Sequence, residues 1–288
     1  MPPSWTEVTI DVSRAHADAV ANFLMDCGAP GLQWTDEGET AQLTAYFAND
    51  PPLDALRQYC SDLGGSAGDA ASARITARLV ADEDWAQNWK LHSQPQLIGE
   101  RFYVCPSWAA AAPEGRIAVI IDPGMAFGTG QHASTRGCLE GLDRAAARHL
   151  PSRALDVGTG SGVLAIALAK LGVSDIWAVD NDPTACTVAT ANAAVNNVAD
   201  QVHVVSDLGG VSGRFDLVVA NLYADLLEDL AQHLTALLTS DGVLIVSGFL
   251  EADEHRVRGA YVARGLGVAC RHAEAPWVTL RFRAGTQP

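Results

Sequence analysis

The chain is poor in positive charge. Nineteen lysines and arginines stand against 34 aspartates and glutamates, a net charge of −15 with a pI near 4.8. Duplex binding wants a basic face, so a phosphate backbone is excluded as the main partner and no direct nucleic-acid contact is expected. An acidic surface suits the steering of a basic partner, and solubility alone also explains it. Paired cysteines are missing too. Cys27, Cys60, Cys105, Cys138, Cys186 and Cys270 are scattered with no C-x-x-C pair, which reads as reduced, mostly buried thiols. No basic stretch leads into an apolar core at the N-terminus, so no signal peptide is expected. No apolar run approaches the ~20 residues that a bilayer requires. The expectation is a soluble, cytoplasmic protein that binds no membrane and no metal and is monomeric. With 288 residues, 48% of them hydrophobic, a full core is available without disulfides, in two domains or one large one.

What is present centres on Arg153-Ala154-Leu155-Asp156-Val157-Gly158-Thr159-Gly160-Ser161-Gly162. It reads as a buried strand, a glycine turn and, from Val163 to Leu171, an apolar helix. Glycines let a backbone turn sharply and let a ligand approach with no Cβ in the way, and the following helix N-terminus favours polar groups. A dinucleotide fingerprint, G-x-G-x-x-G, would require glycine where Val163 stands. The pattern here is D-x-G-x-G-x-G, which suits S-adenosylmethionine better than a nicotinamide. A tight strand-to-helix connection with no ligand is the alternative.

Upstream, Thr6 to Val12 alternates as a strand, Ala15 to Cys27 has helical spacing, and Ala29 to Thr35 and Thr40 to Phe47 are strand candidates. Leu53 to Leu63 is a second helix and Arg74 to Val80 a further strand. The order β-α-β-β-α-β is the split βαβ, ferredoxin-like layout. Asp82 to Lys90 reads as a helical connector with Trp85 and Trp89 stacked at i, i+4. Phe102 to Pro106 and Ile117 to Ile121 are strands leading to the long glycine-punctured segment Asp122 to Thr135. Such loops inside compact domains are usually functional. Phe127 could fold over a cofactor. Thr135 is either a helix cap or a ligand contact. His132 either helps close the site or sits on the surface.

Strand and helix then alternate: Ile176 to Asp180, Pro183 to Asn196, Val202 to Ser206, Phe215 to Asn221, Ala224 to Leu238, Val243 to Ser247 and Ala252 to Arg264. Val268 to His272 and Trp277 to Arg283 close the chain without a helix between them. Repeated β-α units predict a parallel, doubly wound sheet, and the final strand pair predicts one antiparallel strand. The fold class expected is therefore α/β: a seven-stranded Rossmann-like class I methyltransferase sheet preceded by a small α+β domain.

Ligands of open α/β sheets sit at the carboxyl ends of the strands. Gly158 and Gly160 follow the first. Asp180 ends the second, at the offset where an acid receives ribose hydroxyls; a cap for the Pro183 helix is the alternative, which Asp182 suits better. Asp207 ends the third and is a candidate for the adenine amino group or a plain turn residue. Asn221 ends the fourth. An amide oxygen there can accept N–H bonds from a neutral amine and aim its lone pair at a sulfonium methyl, a positioning effect that supplies much of a rate. The alternative is a cap for the helix from Ala224. A lysine amine must first lose its proton, its free pKa being ~10.4, and neither Asp225 nor Glu228 stands out as the base.

Over nearly its whole length the chain resembles the PrmA-type methyltransferases of large-subunit ribosomal protein L11. The likeness is carried by the front domain, Glu83-Asp84-Trp85-(x3)-Trp89, Cys105-Pro106-Ser107-Trp108, Asp122 to Thr135, the glycine turn and Val218-Val219-Ala220-Asn221. The resemblance implies S-adenosylmethionine as cofactor, with contacts at Thr135, Gly158, Asp180 and Asn221. It implies residues 1–80 as substrate-recognition domain, 81–100 as helical linker and 101–288 as methyltransferase domain. The front domain would present the α-amine and lysine ε-amines of the ribosomal protein. The sequence departs from the family in His132-Ala133-Ser134-Thr135 and in the front domain. Leu222-Tyr223-Ala224 after Asn221 are not the Pro-Pro-aromatic of nucleic-acid amine methyltransferases. The alternatives are a lysine methyltransferase with another target, such as an electron-transfer flavoprotein subunit, a NAD-dependent oxidoreductase, and a non-catalytic binding module.

Overall fold

The structure, a computed structural model, describes residues 4–29, 32–38, 40–48, 50–63, 74–81, 94–109, 111–122 and 130–284. They fall into two units, 1–93 and 94–288.

In the first unit, period-two alternation along Ser4–Ser13 (β1) and Thr40–Phe47 (β3) gathers Val8, Ile10, Val12, Leu43, Ala45 and Phe47 in one core. Arg14–Asp26 (α1) covers it with Ala17, Val20, Ala21 and Leu24, the i, i+3, i+4, i+7 stripe of an amphipathic helix. Leu32–Glu37 (β2), Leu53–Leu63 (α2) and Arg74–Ala81 (β4) complete the order β-α-β-β-α-β, and the antiparallel sheet runs β2-β3-β1-β4. Polar pairs also cross the sheet: Arg78 donates twice to Glu7, at 2.5 and 2.9 Å, and Gln42 donates to Asp11 at 2.9 Å. These elements lie within three residues of their expected bounds. The connector with Trp85 and Trp89 lies outside the described residues.

The second unit begins with a small sheet of Gln96–Ile98 (β5), Phe102–Cys105 (β6) and Ile117–Ile120 (β7). A helical linker reaching residue 100 is therefore wrong at its end. Ile98 is buried, and β5 pairs antiparallel with β6. Asn196 ties down Ile120, accepting its N–H at 2.8 Å and donating to its carbonyl at 2.7 Å.

The main sheet comprises Arg153–Val157 (β8), Asp175–Val179 (β9), Val202–Val205 (β10), Phe215–Asn221 (β11), Leu238–Leu250 (β12), Leu266–Glu274 (β13) and Trp277–Ala284 (β14). Its order is β10-β9-β8-β11-β12-β14-β13, with β14 antiparallel to both neighbours and the remaining pairs parallel. The expected antiparallel strand is thus β14, inserted between β12 and β13. Ala133–Arg148 (α3), Val163–Lys170 (α4) and Pro183–Val195 (α5) share one core side with Ala154, Leu217, Val219 and Ile245. Ala224–Asp229 (α6), Ala231–Ala236 (α7) and Glu254–Val262 (α8) share the other with Leu155, Val218, Leu244 and Val246. Strands buried on both faces are mostly apolar, which is why Leu217 to Ala220 of β11 reads as a continuous hydrophobic run and β8 carries Ala154, Leu155 and Val157.

One helix over Ala224–Leu238 and a strand starting at Val243 are expectations the structure corrects. The helical stretch is split into α6 and α7, and β12 begins at Leu238 because the Leu237 carbonyl accepts the Phe215 N–H at 2.7 Å. Residues 239–242 then fall out of register, between the pairs Phe215 with Leu238 and Leu217 with Val243. No described helix is long and apolar enough to cross a membrane.

Candidate active site

The glycine turn is held from both sides. The N–H groups of Gly158 and Thr159 donate to the Val179 carbonyl at 2.8 and 3.0 Å, which fixes the end of β8 against β9. Gly158 has φ +73°, and a Cβ there would come within 2.4 Å of Leu222 Cδ2. Only glycine meets both conditions without displacement. Asp180 is brought to the turn as expected: its Oδ2 accepts the Gly160 N–H at 2.8 Å and its Oδ1 the Asp182 N–H at 3.0 Å. The cap of α5 is Asp182, which accepts from Thr184 N–H at 2.8 Å, so the capping alternative for Asp180 falls away. Val163, where a nicotinamide fingerprint needs glycine, is buried in the core.

Behind the turn lies Asp156, fully buried. Its Oδ2 accepts from Thr159 Oγ1 at 2.7 Å and Ala165 N–H at 3.2 Å, while Oδ1 has no hydrogen-bond partner. Burial raises its pKa to about 7; the bonds from Thr159 and Ala165 oppose the rise and the charge on Asp180 adds to it. A carboxyl group without water resists ionisation in this way.

Asn221, at the end of β11, donates from Nδ2 to Thr135 Oγ1 at 3.3 Å. Its Oδ1 is buried with no partner, an arrangement that costs free energy when nothing fills it. The residue does not cap α6, whose N-cap is Tyr223 and receives no side-chain bond. Nor does Thr135 cap α3. That position belongs to His132, whose Nδ1 accepts the Ser134 N–H at 3.3 Å, and the buried Thr135 hydroxyl faces Asn221 instead. Gly158, Asp180, Thr135 and Asn221 are therefore assembled at the carboxyl edge of the sheet. Phe127 lies outside the described residues.

Two further candidates stand apart. Asp207 is exposed, and its Oδ1 accepts the Gly209 N–H at 2.9 Å in a tight turn. His132 packs edge-on to Trp277, ring centroids 4.4 Å apart, beside the Arg136–Glu274 ion pair. Burial, then the Arg136 charge, lowers its pKa to about 4, against the pull of Glu274. It is neutral at pH 7 and has a structural bond to make. Asp225 and Glu228 both pair with Arg256, at 2.5 Å each, so neither is poised as a base. Among the described residues no group of three or more acidic, histidine or cysteine side chains could hold a metal.

Gly248 is a site residue that the sequence reading missed. It has φ +91°, and a Cβ would lie 2.6 Å from the Leu222 carbonyl oxygen and 2.9 Å from Asn221 Oδ1. A lone glycine inside a strand marks a close backbone approach, and that signal was available.

Strand order, the antiparallel β14 and the glycine turn between β8 and α4 define an α/β protein of the class I methyltransferase type. The chain matches the family model described as Ribosomal protein L11 methyltransferase (PrmA) over residues 4–285, and it belongs to that family. It is 37% identical to the Ribosomal protein L11 methyltransferase of Geobacter metallireducens, covering 99% of this chain and 100% of that protein. Its identity to the one from Geobacter sulfurreducens is also 37%, over 98% of this chain and 99% of the other. Among solved structures it is similar to a ribosomal protein L11 methylase from Lactobacillus delbrueckii subsp. bulgaricus, with a TM-score of 0.61 and 31% identity. That match covers 66% of this chain and 98% of the other.

Proposed function

We propose that the protein is an S-adenosylmethionine-dependent N-methyltransferase that modifies the α-amine and lysine ε-amines of ribosomal protein L11. The observation that carries this reading is the orphaned Oδ1 of Asn221, a buried acceptor at the strand end next to the Gly158 turn. S-adenosylmethionine supplies an electrophilic methyl group. The residues present fit that cofactor: glycine backbone without Cβ at 158, a carboxylate at 180 beside the Gly160 N–H, and a hydroxyl and an amide at 135 and 221.

In this reading Asn221 Oδ1 accepts an N–H of the neutral amine and orients its lone pair, and Thr135 holds the Asn221 amide so that its oxygen, not its nitrogen, faces the amine. Asp180 receives ribose hydroxyls, Asp207 the adenine amino group with the oxygen its turn leaves over, and Phe127 covers the cofactor. Residues 1–80 form the recognition domain and 101–288 the catalytic one, with 81–100 joining them. The sheet order β2-β3-β1-β4 under two helices supports a ferredoxin-like reading of the first. An acidic chain suits a basic ribosomal protein.

Titration with S-adenosylmethionine and, separately, with NAD tests the cofactor. Saturable binding of NAD alone would overturn the reading. Mass spectrometry of the ribosomal protein from cells with and without this gene tests the substrate. Equal masses would leave the cofactor site standing and remove the named target, as would happen for a relative acting on another protein.

A further inference from the structure

A cleft of about 370 Å³ lies at the opposite edge of the main sheet from Gly158, Asp180 and Asn221. The end of α3, the start of β11, residues 239–243 and the end of β14 form it. Leu217 lines it, and Asn221 lies four residues further along the same strand, roughly 13 Å away at the rise of an extended chain. Its volume falls within the range of small-molecule sites.

Many arginines outside the cleft are matched with acids: Arg57 with Asp54, Arg78 with Glu7, Arg101 with Asp143, Arg136 with Glu274, Arg153 with Asp175 and Arg271 with Glu254. Others, Arg116, Arg214 and Arg264, donate to backbone carbonyls. Arg148, Arg281 and Arg283 meet in this one cleft. Among the described residues no carboxylate lies within ion-pair distance of Arg148 or Arg281, in a chain with a surplus of 15 negative charges. Arg281 is half-buried, and desolvation together with the charges of Arg148, Arg144 and Arg283 pulls its pKa down. Holding the Arg148 and Arg281 guanidinium groups in one cleft with no carboxylate within ion-pair distance of either is unfavourable unless an anion joins them. Guanidinium forks match phosphate oxygens.

The lining acids do not close the cleft to an anion. Asp216 is committed to the backbone: its Oδ2 accepts the N–H groups of Ser152 and Arg153 at 3.0 and 3.2 Å. Asp241 stands with Thr239 and Ser240 on the 239–243 side. A carboxylate beside hydroxyls is suited to sugar hydroxyl groups.

We propose that this cleft is a second ligand site, which binds a phosphorylated, hydroxyl-bearing small molecule of sugar-phosphate to mononucleotide size. Arg148 and Arg281 take the phosphate, and Asp241 with Ser240 takes the hydroxyls. The site is separate from the methyl-transfer site and does not depend on the substrate proposed above.

The test is calorimetric titration of the full chain, saturated with S-adenosylhomocysteine so that an adenine-bearing probe cannot report on the first site. The probes are ribose 5-phosphate, AMP, inorganic phosphate and a short single-stranded RNA. Saturable binding of ribose 5-phosphate or AMP is expected, tighter than inorganic phosphate. It should weaken about tenfold in Arg281→Gln and again in Arg148→Gln, the loss for one charge-assisted bond. Arg148 is exposed at the end of α3, so its variant stays informative if Arg281→Gln does not fold. S-adenosylhomocysteine affinity should not change in either variant. Absence of saturable binding, binding equal in the variants, binding of RNA alone, or inorganic phosphate binding as tightly as ribose 5-phosphate would each overturn the assignment.

Discussion

Asn221 and Thr135, 86 residues apart, meet through a 3.3 Å hydrogen bond from the amide nitrogen to the threonine hydroxyl. The bond uses the donor side of the amide and leaves its oxygen without a partner. Rotamer choice at Asn221 thus becomes a chemical choice. A hydroxyl can accept from the amide, and the acceptor that remains is the group a neutral amine needs.

Replacing Asn221 with Ala should collapse turnover while cofactor affinity stays within roughly tenfold, because the interaction lost is one of amine orientation. Stopped-flow or steady-state turnover alongside a cofactor titration separates the two. Equal loss in both would make Asn221 a structural residue only.

Thr135→Val keeps the shape and removes the acceptor for Asn221 Nδ2. Thermal unfolding should register about 1 kcal/mol, the usual cost of leaving a buried donor unmatched. Turnover should fall further than cofactor affinity, since the Asn221 amide is free to flip.

Asp180→Ala should give the opposite division. It strips the Gly160 and Asp182 N–H groups of their acceptor, so S-adenosylmethionine affinity should drop by more than about tenfold. Turnover at saturating cofactor should be largely retained. Retained affinity would place the ribose elsewhere.

Gly248→Ala should destabilise more than Gly158→Ala. Both have positive φ, but a Cβ at 248 meets the Leu222 backbone at 2.6 Å, whereas at 158 it meets the far end of the Leu222 side chain. Strain of this kind costs on the order of 1–3 kcal/mol. Paired melting curves decide it.

Asp156 makes stability depend on pH. Its pKa rises from an ordinary 3.8 to about 7 in the folded chain, so the fold binds this proton more tightly than the unfolded chain does. Its contribution is complete below pH 3.8, declines as pH rises and is gone above about pH 7. His132, lowered to about 4, works in the other direction and is common to both proteins compared. The stability of the wild type minus that of Asp156→Asn should therefore fall from pH 4 to pH 7. A difference that is flat or rising would mean the carboxyl is ionised in the fold.

Much of this was legible in the sequence, for physical reasons. The β8 turn, Asp180 and Asn221 are fixed by local features: an apolar strand, a residue at its carboxyl end, glycines where the chain reverses. The bond between Thr135 and Asn221 was not legible, because it exists only once α3 packs along β11. Gly248 carried a partial signal, a lone glycine inside an apolar strand, but what it approaches, Leu222 just past the end of β11, is set only by the pairing of the strands. The end of the helical stretch before Leu237 depends on Leu237 and Leu238 pairing with Phe215, a tertiary demand that overrides helical spacing.

Methyl transfer to the ribosomal protein is tested by intact-mass spectrometry of purified, unmodified ribosomal protein L11 incubated with S-adenosylmethionine and this protein. The expected result is stepwise addition of methyl groups at amines with the wild type and none with Asn221→Ala under the same conditions. An unchanged mass with the wild type, or methylation that survives loss of the Asn221 amide, would contradict it.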